Sequence, residues 1–128
     1  MCQRVSLLEE ELTYDIIGAF FEVDRTLGFG FLEHLYIMAL ERELRARGRR
    51  VARQVGVPVM CKGEELGMQR LDFIVDGLIV VETKSTRELH GSAKRQLYNY
   101  LRATSLKVGL LLHFGPVAKP HRIVCTSR

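Results

Sequence analysis

The sequence predicts an α/β fold: a central mixed sheet of four to five strands with helices on both faces, in the order α-α-β-β-β-α-β. Three observations carry this expectation. The apolar period is helical up to Arg47, becomes two between Arg49 and Lys62, and turns helical again after Ser92. The run Lys107–Phe114 is apolar almost throughout, as in a central strand covered on both faces. Arg70–Lys84 reads as two apolar strands joined by a turn at Asp76-Gly77. A mixed sheet with helices on both faces satisfies this burial pattern.

The elements follow in order. Leu8–Leu27 has Ile16, Ile17, Phe20, Val23 and Leu27 at helical spacing. Thr13 offers an alternative N-cap for a shorter helix, and Gly28 stands where a C-terminal glycine cap belongs. A second helix spans about Phe31–Arg47 and ends at Gly48. Its apolar residues cover a wide arc, with Leu32, Leu35, Tyr36 and Ala39 on one face and Ile37, Leu40 and Leu44 on the next. Glu33 shares the inward stripe of Ile37 and Leu40. A carboxylate in a first turn also suits the helix dipole, and that service alone explains it equally well.

Arg49–Lys62 alternates as a strand, and Pro58 places it at a sheet edge or at a strand's end. Lys62–Glu65 is a turn, and the hairpin Arg70–Lys84 follows. Thr86–Gly91 is a polar connection. Ser92 is read as the N-cap of a third helix, Ala93–Thr104, in which Leu97 and Leu101 face the core and Gln96 and Tyr100 form a neighbouring i, i+4 pair. Gly115-Pro116 ends the strand Lys107–Phe114, and His121–Cys125 supplies the optional last strand.

With 128 residues, 47% hydrophobic and 27% charged, the chain is expected to be one domain, 1–128, with a sizeable core. No apolar run approaches the ~20 residues of a membrane span. The N-terminal stretch is acidic, not basic and then apolar, so a cytoplasmic protein without membrane contact is expected. Cys2, Cys61 and Cys125 form no CxxC pair or metal spacing and read as free thiols. The net charge of +4 is compatible with a nucleic-acid partner. Arg42, Arg45, Arg47, Arg49, Arg50 and Arg53 form either a solvated helix end and loop or a phosphate-facing patch.

The hairpin carries the chemistry. Asp72, Glu82 and Lys84 interrupt two apolar strands, and buried charges are costly unless paired, hydrogen-bonded or bound to metal. Two carboxylates suit a hard cation such as magnesium. Lys84 projects from the same strand face as Glu82, where it can hold water and offset charge on a phosphate. The alternative is an ordinary surface Glu–Lys pair. The site requires Asp72 to share a face with Glu82. A two-residue hairpin pairs 75 with 78 and turns Asp72 away. A bulged three-residue turn with Gly77 left-handed pairs 74 with 78 and brings Asp72 to the correct face. A bulge or wider loop is therefore expected.

Asp72 followed by Glu82-Thr83-Lys84 resembles the D…ExK signature of the PD-(D/E)XK nuclease superfamily, which has the restriction-endonuclease-like fold. Gln96-Leu-Tyr-Asn-Tyr100 resembles the QxxxY element of its RecB-type branch. Gly30-Phe-Leu-Glu33-His-Leu-Tyr36 resembles the motif that names the GxxExxY family within that superfamily. The resemblance runs from about Leu12 to Phe114. It implies α-β-α layers and metal-dependent hydrolysis of phosphodiesters, with DNA as substrate and Mg2+ or Mn2+ as cofactor. It implies Asp72 and Glu82 as metal ligands, completed by the Thr83 carbonyl and by Glu33 as a ligand or water holder. Lys84 would position the attacking water, and Gln96 and Tyr100 would orient Lys84 or contact the substrate backbone. Tyr36 is read as a packing residue, and His34 and His113 as incidental. The alternatives are a non-catalytic nucleic-acid-binding or regulatory module of the same fold, and a subunit that needs a homodimer or protein partner.

Overall fold

The computed structural model describes residues 5–126, so Cys2 lies outside the described residues. Eight elements follow the expected order: α1 (Leu7–Leu27), α2 (Glu33–Ala46), β1 (Val51–Cys61), β2 (Glu64–Val75), β3 (Ile79–Lys84), α3 (Ala93–Ala103), β4 (Val108–His113) and β5 (Lys119–Val124). The strands form one five-stranded sheet in sequence order. β3 and β4 run parallel and the other neighbours antiparallel, with α3 as the crossover between the parallel pair. The expected mixed sheet is present, and β1 with Pro58 lies at its edge.

α1 begins earlier than a Thr13 cap requires. Ser6 and Glu9 form a reciprocal capping box, in which the Glu9 N–H donates to Ser6 Oγ at 3.1 Å and the Ser6 N–H to Glu9 Oε1 at 2.9 Å. Thr13 lies inside the helix, its hydroxyl donating to the Glu9 carbonyl. At the other end the Gly28 N–H donates to the Asp24 carbonyl with φ at +70°. α2 starts at Glu33 and not at Phe31. It ends in a Schellman pattern: Gly48 N–H to Arg45 O and Arg49 N–H to Leu44 O.

α1 and α2 cover one face of the sheet over a core that includes Ile16, Phe20, Leu40, Phe73, Val81 and Leu112. α3 covers the other, packing Leu97 and Leu101 on Val80, Leu111 and Leu71. Not all of the apolar arc of α2 is buried: Leu32, Leu35 and Met38 are exposed. Four of the six arginines between 42 and 53 make ion pairs. Arg47 and Arg49 hold Asp15 at 2.9 and 2.8 Å, and Arg45 and Arg53 hold Glu41 at 3.0 and 2.8 Å. These cations tie α1, α2 and β1 together, which favours the reading as a solvated helix end and loop. Cys61 is exposed and Cys125 buried, both as free thiols. No described helix is long and apolar enough to cross a membrane.

The β2–β3 turn has the predicted three-residue width. Val75 pairs with Ile79, one residue along each strand from the expected pairing of 74 with 78, and Asp76, Gly77 and Leu78 form the loop. The Leu78 N–H closes a tight turn on the Val75 carbonyl, which makes Leu78 the extra residue. Gly77 has φ +67° and Asp76 φ +52°. Asp76 holds this left-handed conformation because its carboxylate accepts from the Arg50 N–H at 2.7 Å and from Arg49 Nη1 at 3.2 Å. Asp76→Ala removes both bonds and leaves alanine at positive φ. A loss of about 1–3 kcal/mol in urea unfolding is expected.

Candidate active site

The site forms where the pairing of β2 with β3 stops. The last paired residues are Phe73 and Val81, so one more step would set Asp72 opposite Glu82. There the backbones part, and side chains take over their hydrogen bonds. The Thr83 N–H donates to Asp72 Oδ2 at 2.8 Å, and the Asp72 N–H donates to Glu82 Oε1 at 3.2 Å. On its other side, Asp72 lies between the β1–β2 pairs Arg53–Phe73 and Val55–Leu71, opposite Gln54, whose φ is +51°. The strand rotates at this point. Phe73 packs on the α1/α2 side, whereas Leu71, two residues before it, packs on the α3 side. A fork on one side and a rotation on the other turn the Asp72 carboxylate toward Glu82.

Burial raises the proton affinity of both acids. Glu82 is pushed up to about 8, first by burial and then by the Asp72 charge. Asp72 is also raised by burial, against the lowering effects of the Thr83 N–H, Lys84 and Arg53. Two adjacent carboxyls with raised affinity are a place for a shared proton or a cation. Glu33, in the first turn of α2, faces the same pair. Burial raises it, Lys84 lowers it, Asp72 raises it and the Ser85 N–H lowers it. Tyr100 is raised by burial and by the Glu82 charge. Glu33, Asp72, Glu82, Lys84 and Tyr100 therefore act on one another electrostatically. Gln96 shares a cavity of about 680 Å³ with Lys84, at the start of α3.

Tyr36 explains how Glu33 gets there. Its ring stacks on Phe114 at 4.3 Å between centroids. Its hydroxyl donates to the Gly28 carbonyl and accepts the Phe31 N–H at 3.2 Å. Gly30, with φ +112°, makes the turn that the clamp secures. The Gly30, Glu33 and Tyr36 spacing thus joins a left-handed turn, a carboxylate in the first turn and the tyrosine that locks that turn to the sheet. Tyr36→Phe leaves the Gly28 and Phe31 backbone groups short of a partner, and a loss of about 1–2 kcal/mol in chemical denaturation is expected.

Three features escaped the sequence reading. Ser92 occupies the N-cap position of α3 but makes no side-chain cap; its hydroxyl sits 2.8 Å from His90 Nδ1. Gln69, from a stretch not read as strand, accepts from the Tyr100 hydroxyl at 3.4 Å. Thr83 Oγ1 is buried with no hydrogen-bond partner. Thr83→Val removes that orphan, and a gain of about 1 kcal/mol in unfolding free energy is expected.

A family model of the PD-(D/E)XK nuclease superfamily matches residues 10–124. The chain belongs to the PD-(D/E)XK nuclease superfamily. Nuclease chemistry is what that superfamily name denotes. The crystal structure of SSO0001 is similar to this PD-(D/E)XK protein, with a TM-score of 0.58 and 23% identity over 94% of this chain. The chain spans 60% of that structure's length, and the likeness bears on the fold. No curated protein matches. The five-stranded mixed sheet flanked by helices is the restriction-endonuclease-like fold of the PD-(D/E)XK superfamily.

Among the described residues no three acidic, histidine or cysteine side chains gather into a ready-made metal cage. The donor set that fits is smaller. Asp72 and Glu82 are two hard carboxylates side by side, and magnesium is commonly held by one or two carboxylates with water and phosphate oxygens completing its shell.

Proposed function

We propose that this protein is a magnesium- or manganese-dependent nuclease that hydrolyses DNA phosphodiesters. In this reading residues 1–128 act as one cytoplasmic nuclease domain of the GxxExxY branch. The observation that carries it is the apposition of Asp72 and Glu82, both with raised proton affinity, at the strand fork beside Lys84. Asp72 and Glu82 would hold the ion, completed by the Thr83 carbonyl and by Glu33 directly or through water. The bound cation supplies Lewis acidity toward the phosphate and a more acidic water.

The remaining work falls to side chains. Lys84 holds the attacking water and offsets charge building on the phosphate oxygens. Glu33, its proton affinity raised by burial, accepts a proton from water. Gln96 and Tyr100 donate to the substrate backbone and fix its approach.

The test is incubation with linear, circular and single-stranded DNA in magnesium or manganese. Cleavage is expected to vanish on chelation and to return when the metal is restored. No cleavage of any form, or cleavage that survives Lys84→Ala, overturns the proposal.

One observation favours a second reading. The two backbone-to-side-chain hydrogen bonds across the fork engage an oxygen of each carboxylate, as suits a regulatory or nucleic-acid-binding module that does not turn over. Salt-sensitive DNA binding without metal-dependent cleavage would support that module. A partner-dependent subunit is favoured by the exposed Phe29, Phe31, Leu32, Leu35 and Met38 around Glu33. The mass in solution separates monomer from homodimer.

A further inference from the structure

The 85–92 connection has a second concavity beside it, adjoining the one that holds Lys84. Its volume is about 480 Å³, and its walls include Arg87, Lys94, His113, Lys119 and His121. These side chains come from the connection, α3, β4 and β5, so the fold gathers them from four places. Lys84, His113 and Lys119 lie in one row across β3, β4 and β5. Two strand spacings, ~10 Å, separate the backbones at Lys84 and Lys119. Glu88, Leu89, His90 and Gly91 line both concavities, which makes them neighbouring parts of one channel.

Cations outnumber acids in this cavity. None of Arg87, Lys94 and Lys119 has a carboxylate within ion-pair distance among the described residues, in contrast to Arg45, Arg47, Arg49 and Arg53. Glu88 is the acidic residue of the lining. His121 is held below the ordinary imidazole range by burial and by Lys94, Lys119 and His113. α3 also opens with Lys94 and Arg95 and has no acid in its first turn, an order that the helix dipole disfavours. Cations gathered in a concavity against such costs point to an anion as the missing partner.

We propose that this cavity is a second phosphate site, in which Arg87, Lys94 and Lys119 seat a phosphate of the nucleic-acid strand being cut at Asp72 and Glu82. The inference rests on the nuclease reading and adds the direction of the strand, from the carboxylates past Lys84 to β5. A separation of ~10 Å keeps the second phosphate within a few nucleotides of the one being cut. The phosphate is either internal or the strand's own terminal group.

The experiment measures binding of a labelled single-stranded DNA oligonucleotide across a salt series, with metal chelated so that nothing is cut. Lys94→Ala/Lys119→Ala is expected to weaken binding at least tenfold at low salt. It is also expected to reduce the slope of log affinity against log salt by about one to two, at ~0.7 per lost contact. Lys94→Arg/Lys119→Arg is expected to bind as the wild type does. A loss that is larger with a 5′-phosphate than with a 5′-hydroxyl assigns the terminal group, and an equal loss assigns an internal one; both support the site. An unchanged salt slope overturns it, as does an equal loss in the arginine variant. A salt-slope change without magnesium-dependent cleavage refutes the nuclease reading alone. Intact cleavage with an unchanged slope refutes the cavity alone.

Discussion

Asp72→Asn is expected to lower DNA cleavage by about 10³-fold or more while leaving thermal stability at pH 8 undiminished. The two halves of this expectation have one cause. Asparagine keeps the size of the side chain and an oxygen that can still accept the Thr83 N–H, now 2.8 Å from Asp72 Oδ2. It removes the charge. If the carboxylate holds a cation that stabilises the reacting phosphate, several kcal/mol of transition-state stabilisation go with it. In the metal-free fold the same charge stands against Glu82 in a buried place, and its removal relieves that repulsion. An acid that served only to close the strand fork would behave in the opposite way, with stability falling and activity unaffected. Cleavage rates together with a melting curve at pH 8 separate the two. Retained cleavage, or a clear drop in melting temperature, would argue against the metal role.

What the sequence made legible is whatever depends on period and on local punctuation. The helices, the edge strand with Pro58 and the apolar β4 follow from spacing, and Gly28 and Gly48 mark two helix ends because positive φ is cheap there. Ser6 and Glu9 carry the S-x-x-E signal, but the sequence reading passed over it and offered Thr13 as the cap. The width of the Asp76-Gly77 turn followed from requiring two carboxylates on one face. Its exact pairing did not, because Asp76 is set by Arg49 and Arg50, distant in sequence. The rotation of β2 at Asp72 was not legible either. It coincides with Gln54, at positive φ across the ladder, and nothing in the local sequence of either strand marks it. The cationic cavity was hidden for a similar reason. Arg87 and Lys94 are joined by Lys119 only through the β4–β5 register, whereas most of the conspicuous arginine run is spent on ion pairs.

Glu82 sets a pH dependence whose sign distinguishes a ligand-poised carboxyl from an ordinary stabilising one. In the folded chain it titrates at about 8, against 4.5 for an unperturbed glutamic acid. Below 4.5 it is protonated in both states, and the contribution to stability is fully present. Between 4.5 and about 8 the folded protein keeps a proton that the unfolded chain has released, so stability falls as pH rises, by a few kcal/mol in all. Asp72 and Glu33, also raised by burial, act with the same sign. Asp15 and Glu41, lowered by arginines, act with the opposite sign in the acid range, and His121 opposes it just below pH 6.5. The informative quantity is therefore the wild-type profile minus that of Glu82→Gln, measured by urea unfolding with metal chelated. That difference is expected to decline from pH 5 to pH 8 and then level off. Magnesium is expected to stabilise the wild type more at pH 8 than at pH 5.5, because at low pH it must displace protons from the pair, and to do little for Glu82→Gln. A flat difference profile would mean that Glu82 is ionised without strain in the folded protein. Equal magnesium stabilisation at both pH values would place the ion away from the Asp72–Glu82 pair.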